Sequence, residues 1–89
     1  MASIYKLEKV LKAVANRRRL AILKYLKKVD QATVSDISRK INLSFRATSR
    51  HLQILLAADL VIKYQRHLYN FYALSSNQLP FIKKLLDSL

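Results

Sequence analysis

The sequence predicts a mainly α fold with a small β-hairpin, formed as one domain over residues 1–89. Three observations indicate this fold class. Apolar residues recur at three- and four-residue spacing along most of the chain, as they do on the buried face of a helix. Between residues 60 and 74 the period changes to two, which is typical of strands. The chain contains no Gly and a single Pro, so no stretch has the composition of a flexible linker between domains.

The first two helices are predicted from their capping residues and apolar stripes. Ser3 is a suitable N-cap for a helix over residues 3–15, because its hydroxyl can accept a hydrogen bond from the first turn. Asn16 can do the same for a second helix over residues 17–27. The apolar stripes of these two helices are Ile4, Leu7, Leu11 and Val14, and then Leu20, Ile22, Leu23 and Leu26.

Two short helices follow, and the second carries arginines on one face. After a connector at residues 29–33, which we expect to hold a short β segment, Thr33 and Asp36 form a capping-box pattern at the start of a third helix. Ser44 then caps a fourth helix. Its inward face is Thr48, His51, Leu52 and Leu55, and its outward face is Phe45, Arg46, Ser49, Arg50 and Gln53. This pair is typical of a DNA-binding helix-turn-helix, although an ordinary amphipathic surface helix shows a similar pattern.

A β-hairpin is predicted directly after the fourth helix. In its first strand, Ile62 and Tyr64 lie on one face and Lys63 and Gln65 on the other, and residues 69–74 have a similar β-branched and aromatic character. The residues at its tip are Arg66, His67 and Leu68. A hairpin in this position is a wing, so the complete prediction is a winged helix-turn-helix, and the basic tip could enter a minor groove.

A last helix is predicted over residues 78–88, with Pro80 in its first turn. Its apolar stripe consists of Leu79, Ile82, Leu85, Leu86 and Leu89. A domain of this size has little core to cover two terminal helices as apolar as these. We therefore expect residues 3–15 and 78–88 to form the interface of a homodimer.

The charge of the chain predicts a polyanionic partner. Seventeen Lys and Arg against five Asp and Glu give a net charge of +12, which favours nucleic acid or an anionic membrane surface. The membrane is less favoured, because the apolar stripes have folded partners to cover. Residues 17–19 are three arginines at a helix start, where the helix dipole disfavours cations. They are either phosphate contacts or solvated arginines with one aliphatic stem packed inward.

Several functions are disfavoured by what the sequence lacks. There is no Cys, and no group of catalytic residues surrounds His51 or His67, so we predict that the protein is not an enzyme and has no cofactor. Ser49 is two residues from His51, a spacing that does not bring side chains together on a helix. We expect His51 to be a hydrogen-bonded core imidazole. No secretory signal or long apolar run is present, which predicts a cytoplasmic protein.

The order of elements and several short stretches resemble the ArsR family of winged-helix repressors. The resemblance covers roughly residues 7–74. The stretches that carry it are residues 11–23, Leu43-Ser44, residues 49–52 (Ser-Arg-His-Leu), Leu55, residues 58–61 (Ala-Asp-Leu-Val) and residues 71–74 (Phe-Tyr-Ala-Leu). The Ser-Arg-His-Leu stretch after Leu-Ser is fairly specific in combination, whereas each stretch alone is weak.

The resemblance implies which residues contact DNA and which form a dimer. Positions matching Ser44, Phe45, Arg46, Ser49 and Arg50 face DNA in the family. We add side chains from the same helix, the wing and the second helix, namely Gln53, Lys63, Arg66, His67, Arg17 and Arg18. Phe45 contacts either a thymine methyl group or its own helix start. The first and last helices form a symmetric dimer in the family, which predicts an interface of Ile4, Leu7, Leu11, Leu79, Ile82, Leu85, Leu86 and Leu89.

Two departures from the family pattern carry predictions. The family usually has Gly where this chain has Asn42, Asp59 and His67, and these residue types tolerate a positive φ better than most others. We therefore expect a positive φ at all three positions. The Cys-rich metal motif of many relatives is replaced by residues 30–36, which contain no thiolate, and the last helix offers only Asp87. We predict no metal site and no metal response, because a tight site needs three or four ligands.

The predicted function is sequence-specific binding of double-stranded DNA by a homodimeric transcription regulator, most simply a repressor. The two recognition helices would enter successive major grooves, so the operator is expected to be an inverted repeat. The alternative is a winged-helix module that binds RNA or another protein without a specific operator.

Overall fold

The computed structural model describes residues 3–89 and confirms the predicted winged helix-turn-helix. Four helices precede a two-stranded antiparallel hairpin, and a fifth helix follows it. The elements in chain order are α1 (Ile4–Val14), α2 (Arg17–Val29), α3 (Val34–Ile41), α4 (Phe45–Ala57), β1 (Val61–Arg66), β2 (Tyr69–Leu74) and α5 (Pro80–Asp87).

The helix starts follow the predicted capping residues. Ser3, Asn16, Thr33 and Ser44 have extended backbones, and each side chain accepts a hydrogen bond from the backbone N–H three residues later. Thr33 and Asp36 also form the reciprocal capping box. Each such cap stabilises its helix by about 1 kcal/mol. These local bonds fix the residues at which α3 begins after its connector and α4 begins after the turn.

Positive φ angles occur at the three predicted positions and at one more. Asn42, Asp59 and His67 have φ of 55°, 58° and 58°, and Asp30 has φ of 73°. Asn42 lies in the left-handed region at the end of α3, where the chain must reverse before α4. Asp30 was not predicted, and it ends α2 at Val29, two residues beyond the predicted boundary.

The hairpin pairs Val61 with Leu74 at its base and Arg66 with Tyr69 at its tip. The short β segment predicted before α3 is present as a single bridge, in which Ala32 and Tyr72 exchange backbone hydrogen bonds of 3.0 and 2.8 Å. This bridge attaches the base of the wing to the connector that leads into α3. The wing is therefore held to the helix-turn-helix by backbone bonds as well as by packing.

The core-facing side of β1 is the one that carries Lys63. Val61 is 2% exposed, whereas Ile62 is 47% exposed, and the paired residue of Lys63 is the buried Tyr72. The alternation of the strand was predicted correctly, and the sequence left open which of the two faces packs inward. The burial of Val61 and Tyr72 shows that it is the face shared by Val61 and Lys63.

The core lies between all five helices and the base of the hairpin. Its buried apolar residues are Val10, Ala13, Val14, Ile22, Leu23, Leu26, Ala32, Ile37, Leu52, Leu55, Ala58, Leu60, Val61, Tyr72, Ile82 and Leu86. Two residues assigned to the dimer interface belong to this list, since Ile82 and Leu86 are 1% and 7% exposed within one protomer. Their assignment is corrected: α5 uses them to pack on its own chain.

Candidate nucleic-acid interface

Helix α4 presents two arginines on its outward face. Arg46 and Arg50 are four residues apart, so they lie side by side on the same face of the helix, and both are exposed. Neither forms an ion pair with residues 3–89, where the ion pairs are Lys12 with Glu8 and Arg39 with Asp36. Both guanidinium groups are therefore available to an outside acceptor.

The remaining predicted residues of α4 border this pair. Phe45 is 58% exposed and stands at the start of the helix, next to Arg46. Gln53 is exposed one turn beyond Arg50, and Ser49 is half-buried at the edge of the face. The combination of guanidinium, amide, hydroxyl and aromatic groups suits base edges and thymine methyl groups in a major groove.

The opposite face of α4 fixes the helix in the domain. Leu52 and Leu55 are fully buried, and Thr48 is the one buried polar residue among residues 3–89. The Thr48 hydroxyl has no hydrogen-bond partner in that part of the chain. A helix anchored by two buried leucines presents its outer side chains in a fixed orientation.

The first turn of α4 is suited to an anion. Ser44 Oγ accepts a hydrogen bond of 3.1 Å from the Ala47 N–H, which leaves the hydroxyl proton free to be donated. The start of a helix carries a partial positive charge, and no acidic residue lies in the first turn of α4. A DNA phosphate beside Ser44 would meet the N–H groups, the hydroxyl and the dipole together.

The wing extends the basic surface. Lys63, Arg66 and His67 are all exposed, and Lys63 Nζ lies 5.9 Å from the centre of the Tyr72 ring. The third residue at the tip is Leu68, which is apolar and 89% exposed. It was not among the predicted DNA contacts. An apolar side chain beside two basic ones at a hairpin tip can contact the sugars of a narrow groove.

The first two arginines at the start of α2 are exposed, which both sequence interpretations of residues 17–19 expect. Arg17 makes no side-chain hydrogen bond within residues 3–89, and Arg18 Nη1 donates a 2.9 Å hydrogen bond to the Ile41 carbonyl oxygen at the end of α3. Arg18 retains further N–H donors, since a guanidinium has five. This single bond also ties the start of α2 to the residue just before the helix-turn-helix turn.

Arg19 differs from its neighbours because it connects three parts of the protomer. Its guanidinium donates to the carbonyl oxygens of Lys12 and Ala13 at the end of α1, and Nη1 lies 3.2 Å from Nδ1 of His51 on α4. The backbone N–H of Arg19 donates a hydrogen bond to Oδ1 of Asn16, the N-cap of α2. Arg19 is thus a structural residue, and no spacing in the sequence indicated its contact with α4.

His51 is hydrogen-bonded, as predicted, but it is half-buried rather than part of the core, and its partner is a cation. A guanidinium can only donate, so Nδ1 of His51 accepts from Arg19 and the imidazole is neutral. Burial lowers the pKa of His51 below its ordinary value of 6.5, and the positive charges of Arg19, Arg18 and Arg50 lower it further. His51 therefore marks the inner edge of a strongly positive region.

The described residues show neither a metal site nor a membrane span. Residues 3–89 contain no group of three or more His, Cys, Asp or Glu side chains placed to hold a metal ion. Among them, none of the helices combines the length and apolar character needed to cross a bilayer.

This arrangement defines a class of protein: a winged helix-turn-helix with an anchored, arginine-bearing recognition helix and a basic wing. The sequence model of the family described as "Bacterial regulatory protein, arsR family" matches residues 16–63, which is more than half of the 89 residues. The chain belongs to the arsR family of bacterial regulatory proteins. A search of curated proteins found no match.

Several solved structures are similar to this chain over almost its whole length. HlyU from Vibrio cholerae N16961 is 34% identical, with a TM-score of 0.80 over 94% of this chain and 87% of that one. The transcriptional regulator HlyU from Vibrio vulnificus CMCP6 is 36% identical, with a TM-score of 0.75 over 94% and 86% of the two chains.

A third similar structure is described with its assembly. It is the homodimeric winged helix-turn-helix DNA-binding domain of Mb0332 from Mycobacterium bovis, 25% identical, with a TM-score of 0.82 over 96% of this chain and 75% of that one. The family and these neighbours are regulators rather than enzymes. This chain is accordingly a DNA-binding transcription regulator.

Proposed function

We propose that this regulator is a homodimeric repressor that binds an inverted-repeat operator in double-stranded DNA. The observation that carries the proposal is the pair Arg46 and Arg50, exposed and unpaired on a helix whose other face is buried. Each arginine can donate two parallel hydrogen bonds to O6 and N7 of a guanine. Gln53, Ser49 and Phe45 complete the reading surface, and the exposed cations outside α4 bind phosphates.

The proposed dimer interface is the outer surface of α1 and α5. Helix α1 has two apolar faces, of which Val10, Ala13 and Val14 form the buried one. Along its outer face, Ile4 is 86% exposed, Leu11 is 51% exposed and Leu7 is half-buried. The corresponding residues of α5 are Phe81, Leu85 and Leu89, of which Phe81 is exposed and the others are half-buried. Leu79 is also half-buried, beside α5, and the exposed Tyr5 lies next to Ile4 in the sequence and is added to the proposed interface.

Burying these side chains against a second copy stabilises the dimer, because each side chain contributes its free energy of transfer out of water. The homodimeric assembly of Mb0332, a relative with the same fold, supports this arrangement. In this proposal residues 1–89 act as one domain, with the terminal helices as its dimer interface. A two-fold axis between the protomers places the two α4 helices one or more helical turns of DNA apart, about 34–36 Å for one turn. A dimer bound within a promoter would repress transcription by excluding the transcription machinery from the same DNA.

The direct test is selection of the protein's preferred site from random duplexes, followed by competition at fixed salt. We expect an inverted repeat, bound more tightly than random duplex or single- and double-stranded RNA. Repression is then measured with a reporter that carries the selected site in its promoter. If RNA competes as well as the selected duplex, the protein is the alternative RNA-binding module and the proposal is wrong.

The dimer is tested by Leu11→Glu, which puts a charge on the outer face of α1 without disturbing the core face. Sedimentation should show a monomer, and affinity for the full inverted repeat should fall while affinity for a half-site is unchanged. Leu68→Glu places the same change on the wing tip and should leave the dimer intact. A dimer that tolerates Leu11→Glu would contradict the proposed interface.

A further inference from the structure

One pocket of the protein lies apart from the reading surface. It has a volume of about 560 Å³ and opens between the exposed side of α2, the end of α3 and the end of the chain. Its lining combines four lysines with apolar residues: Lys24, Lys27, Lys28 and Lys40, and Ala21, Tyr25, Ile41 and Leu89. The pocket shares Leu89 with the proposed dimer interface, but neither that interface nor the proposed DNA contacts include the four lysines.

The two walls of the pocket are held in place by hydrogen bonds to α2. Lys27 Nζ donates to the carbonyl oxygens of Leu86 and Asp87 at distances of 3.0 and 3.3 Å, which ties the end of α5 to α2. On the other side, Arg18 bonds the Ile41 carbonyl oxygen at the end of α3. The pocket is thus formed within a single protomer.

The lysines of the pocket are not neutralised by an acidic side chain. No acidic residue lines it. Lys24, Lys28 and Lys40 form no ion pair or side-chain hydrogen bond within residues 3–89, where both ion pairs lie elsewhere. Three unneutralised ammonium groups at one opening repel one another, and an anion between them relieves that repulsion. The same repulsion disfavours a second copy of this surface as the occupant.

The apolar part of the lining restricts the anion further. Tyr25 and Ile41 are half-buried and pack against the core, so they offer a fixed apolar surface below the lysines. A volume of this size is typical of small-molecule sites, which lie between about 300 and 1,000 Å³. Inorganic phosphate would satisfy the lysines but leave that surface in contact with water.

We propose that this pocket binds a small amphipathic anion: a carboxylate with an apolar chain or ring. The carboxylate lies among Lys24, Lys28 and Lys40, and the apolar body lies on Tyr25 and Ile41. This inference goes beyond operator binding and does not depend on it, since the pocket belongs to the free protein.

The experiment is titration of the full chain with octanoate, followed by calorimetry and by the backbone amide NMR signals of Tyr25 and Ile41. Octanol has the same chain without the charge, and inorganic phosphate has charge without the chain. We expect saturable binding of octanoate with shifts at both amides, and no saturation with either comparison compound. The double variant Lys24→Gln/Lys40→Gln should weaken octanoate binding about tenfold. All these lysines are exposed, so the fold is retained.

The matched control is Lys83→Gln, which removes an exposed lysine of α5 that does not line the pocket. It should bind octanoate like the wild type. Equal binding of octanoate by the double variant and the control would overturn the proposal, as would saturation by octanol. The affinity of each variant for random duplex DNA is measured separately. A loss with the double variant that is more than twice the loss with Lys83→Gln would assign these lysines to DNA phosphates instead.

Discussion

Two helices of this protein begin with a capping residue followed by arginines. At the start of α2, Asn16 is the cap, and Arg19 turns back to bond the end of α1 and His51. At the start of α4, Ser44 is the cap, and Arg46 and Arg50 remain exposed and unpaired. The same residue type therefore stabilises the protomer in one helix and is left for a partner in the other. Four predictions test this difference.

The largest effect is expected for Arg19→Ala. It removes three side-chain hydrogen bonds between α1, α2 and α4 and leaves carbonyl oxygens without donors. A charged hydrogen bond contributes about 1.5–3 kcal/mol, so we expect the free energy of unfolding to fall by about 2–4 kcal/mol in urea titration. Arg17→Ala, at an exposed position two residues earlier, should change it by less than about 0.5 kcal/mol. Equal effects of the two variants would mean that the Arg19 bonds contribute nothing.

The opposite result is expected for Arg46→Ala and Arg50→Ala. Stability should change by less than about 0.5 kcal/mol, while affinity for the selected operator should fall by about 1–3 kcal/mol for each half-site, with relaxed base choice at one position of each. Lys9→Ala, an exposed cation on α1, controls for the loss of one positive charge. If Arg46→Ala keeps the wild-type site preference in a repeated selection, Arg46 is not a reading residue.

A smaller effect is expected for Arg66→Ala in the wing. Arg66 is exposed at the end of β1, and we propose that it contacts a phosphate rather than a base edge. Its removal from both protomers should weaken operator and random duplex alike, and reduce the slope of log affinity against log salt by about 1.8, which is about 0.9 for each phosphate contact. A change in base preference without a change in the salt slope would instead place Arg66 against a base.

The smallest effect concerns His51 and pH. Because its pKa is below 6.5 in the folded protein, the unfolded chain binds the proton more readily as pH falls below 6.5. The stability that depends on neutral His51 is therefore complete above pH 6.5 and is lost progressively below it. His51→Asn should remove this part of the decline in the free energy of unfolding at low pH. The control variant His67→Asn should show the same decline as the wild type. Asp36, whose pKa is lowered mainly by the Thr33 N–H, affects stability only below about pH 4. Identical pH profiles for His51→Asn and wild type would contradict the prediction.

Local features of this fold were predictable from the sequence. Caps such as Ser44 and Thr33 bond within three residues, so their partners are fixed by sequence position. The positive φ at Asn42 likewise follows from a chain reversal between two helices. These features depend on a few neighbouring residues, which is why pattern arguments placed them correctly.

Features set by packing between distant elements were not predictable. A period of two cannot tell which side of β1 faces the core, and Val61 decided it through contacts with other elements. In α5, Ile82 packs inward and Leu85 lies nearer the surface. This difference in burial depends on how the other helices pack against α5. Arg19 and His51 are 32 positions apart in the sequence, and no local pattern around either residue predicts their contact.

The bridge between Ala32 and Tyr72 also affects how the protein behaves in concentrated solution. Because Ala32 bonds one side of β2 and β1 bonds the other, the open edge of the hairpin is that of β1. An open edge is a template for intermolecular pairing, and charged residues along it oppose the growth of aggregates. β1 carries Lys63 and Arg66, so the cations proposed to hold DNA also protect the free protein from fibrillation. Variants that neutralise both should lose solubility at high concentration and regain it when DNA is bound.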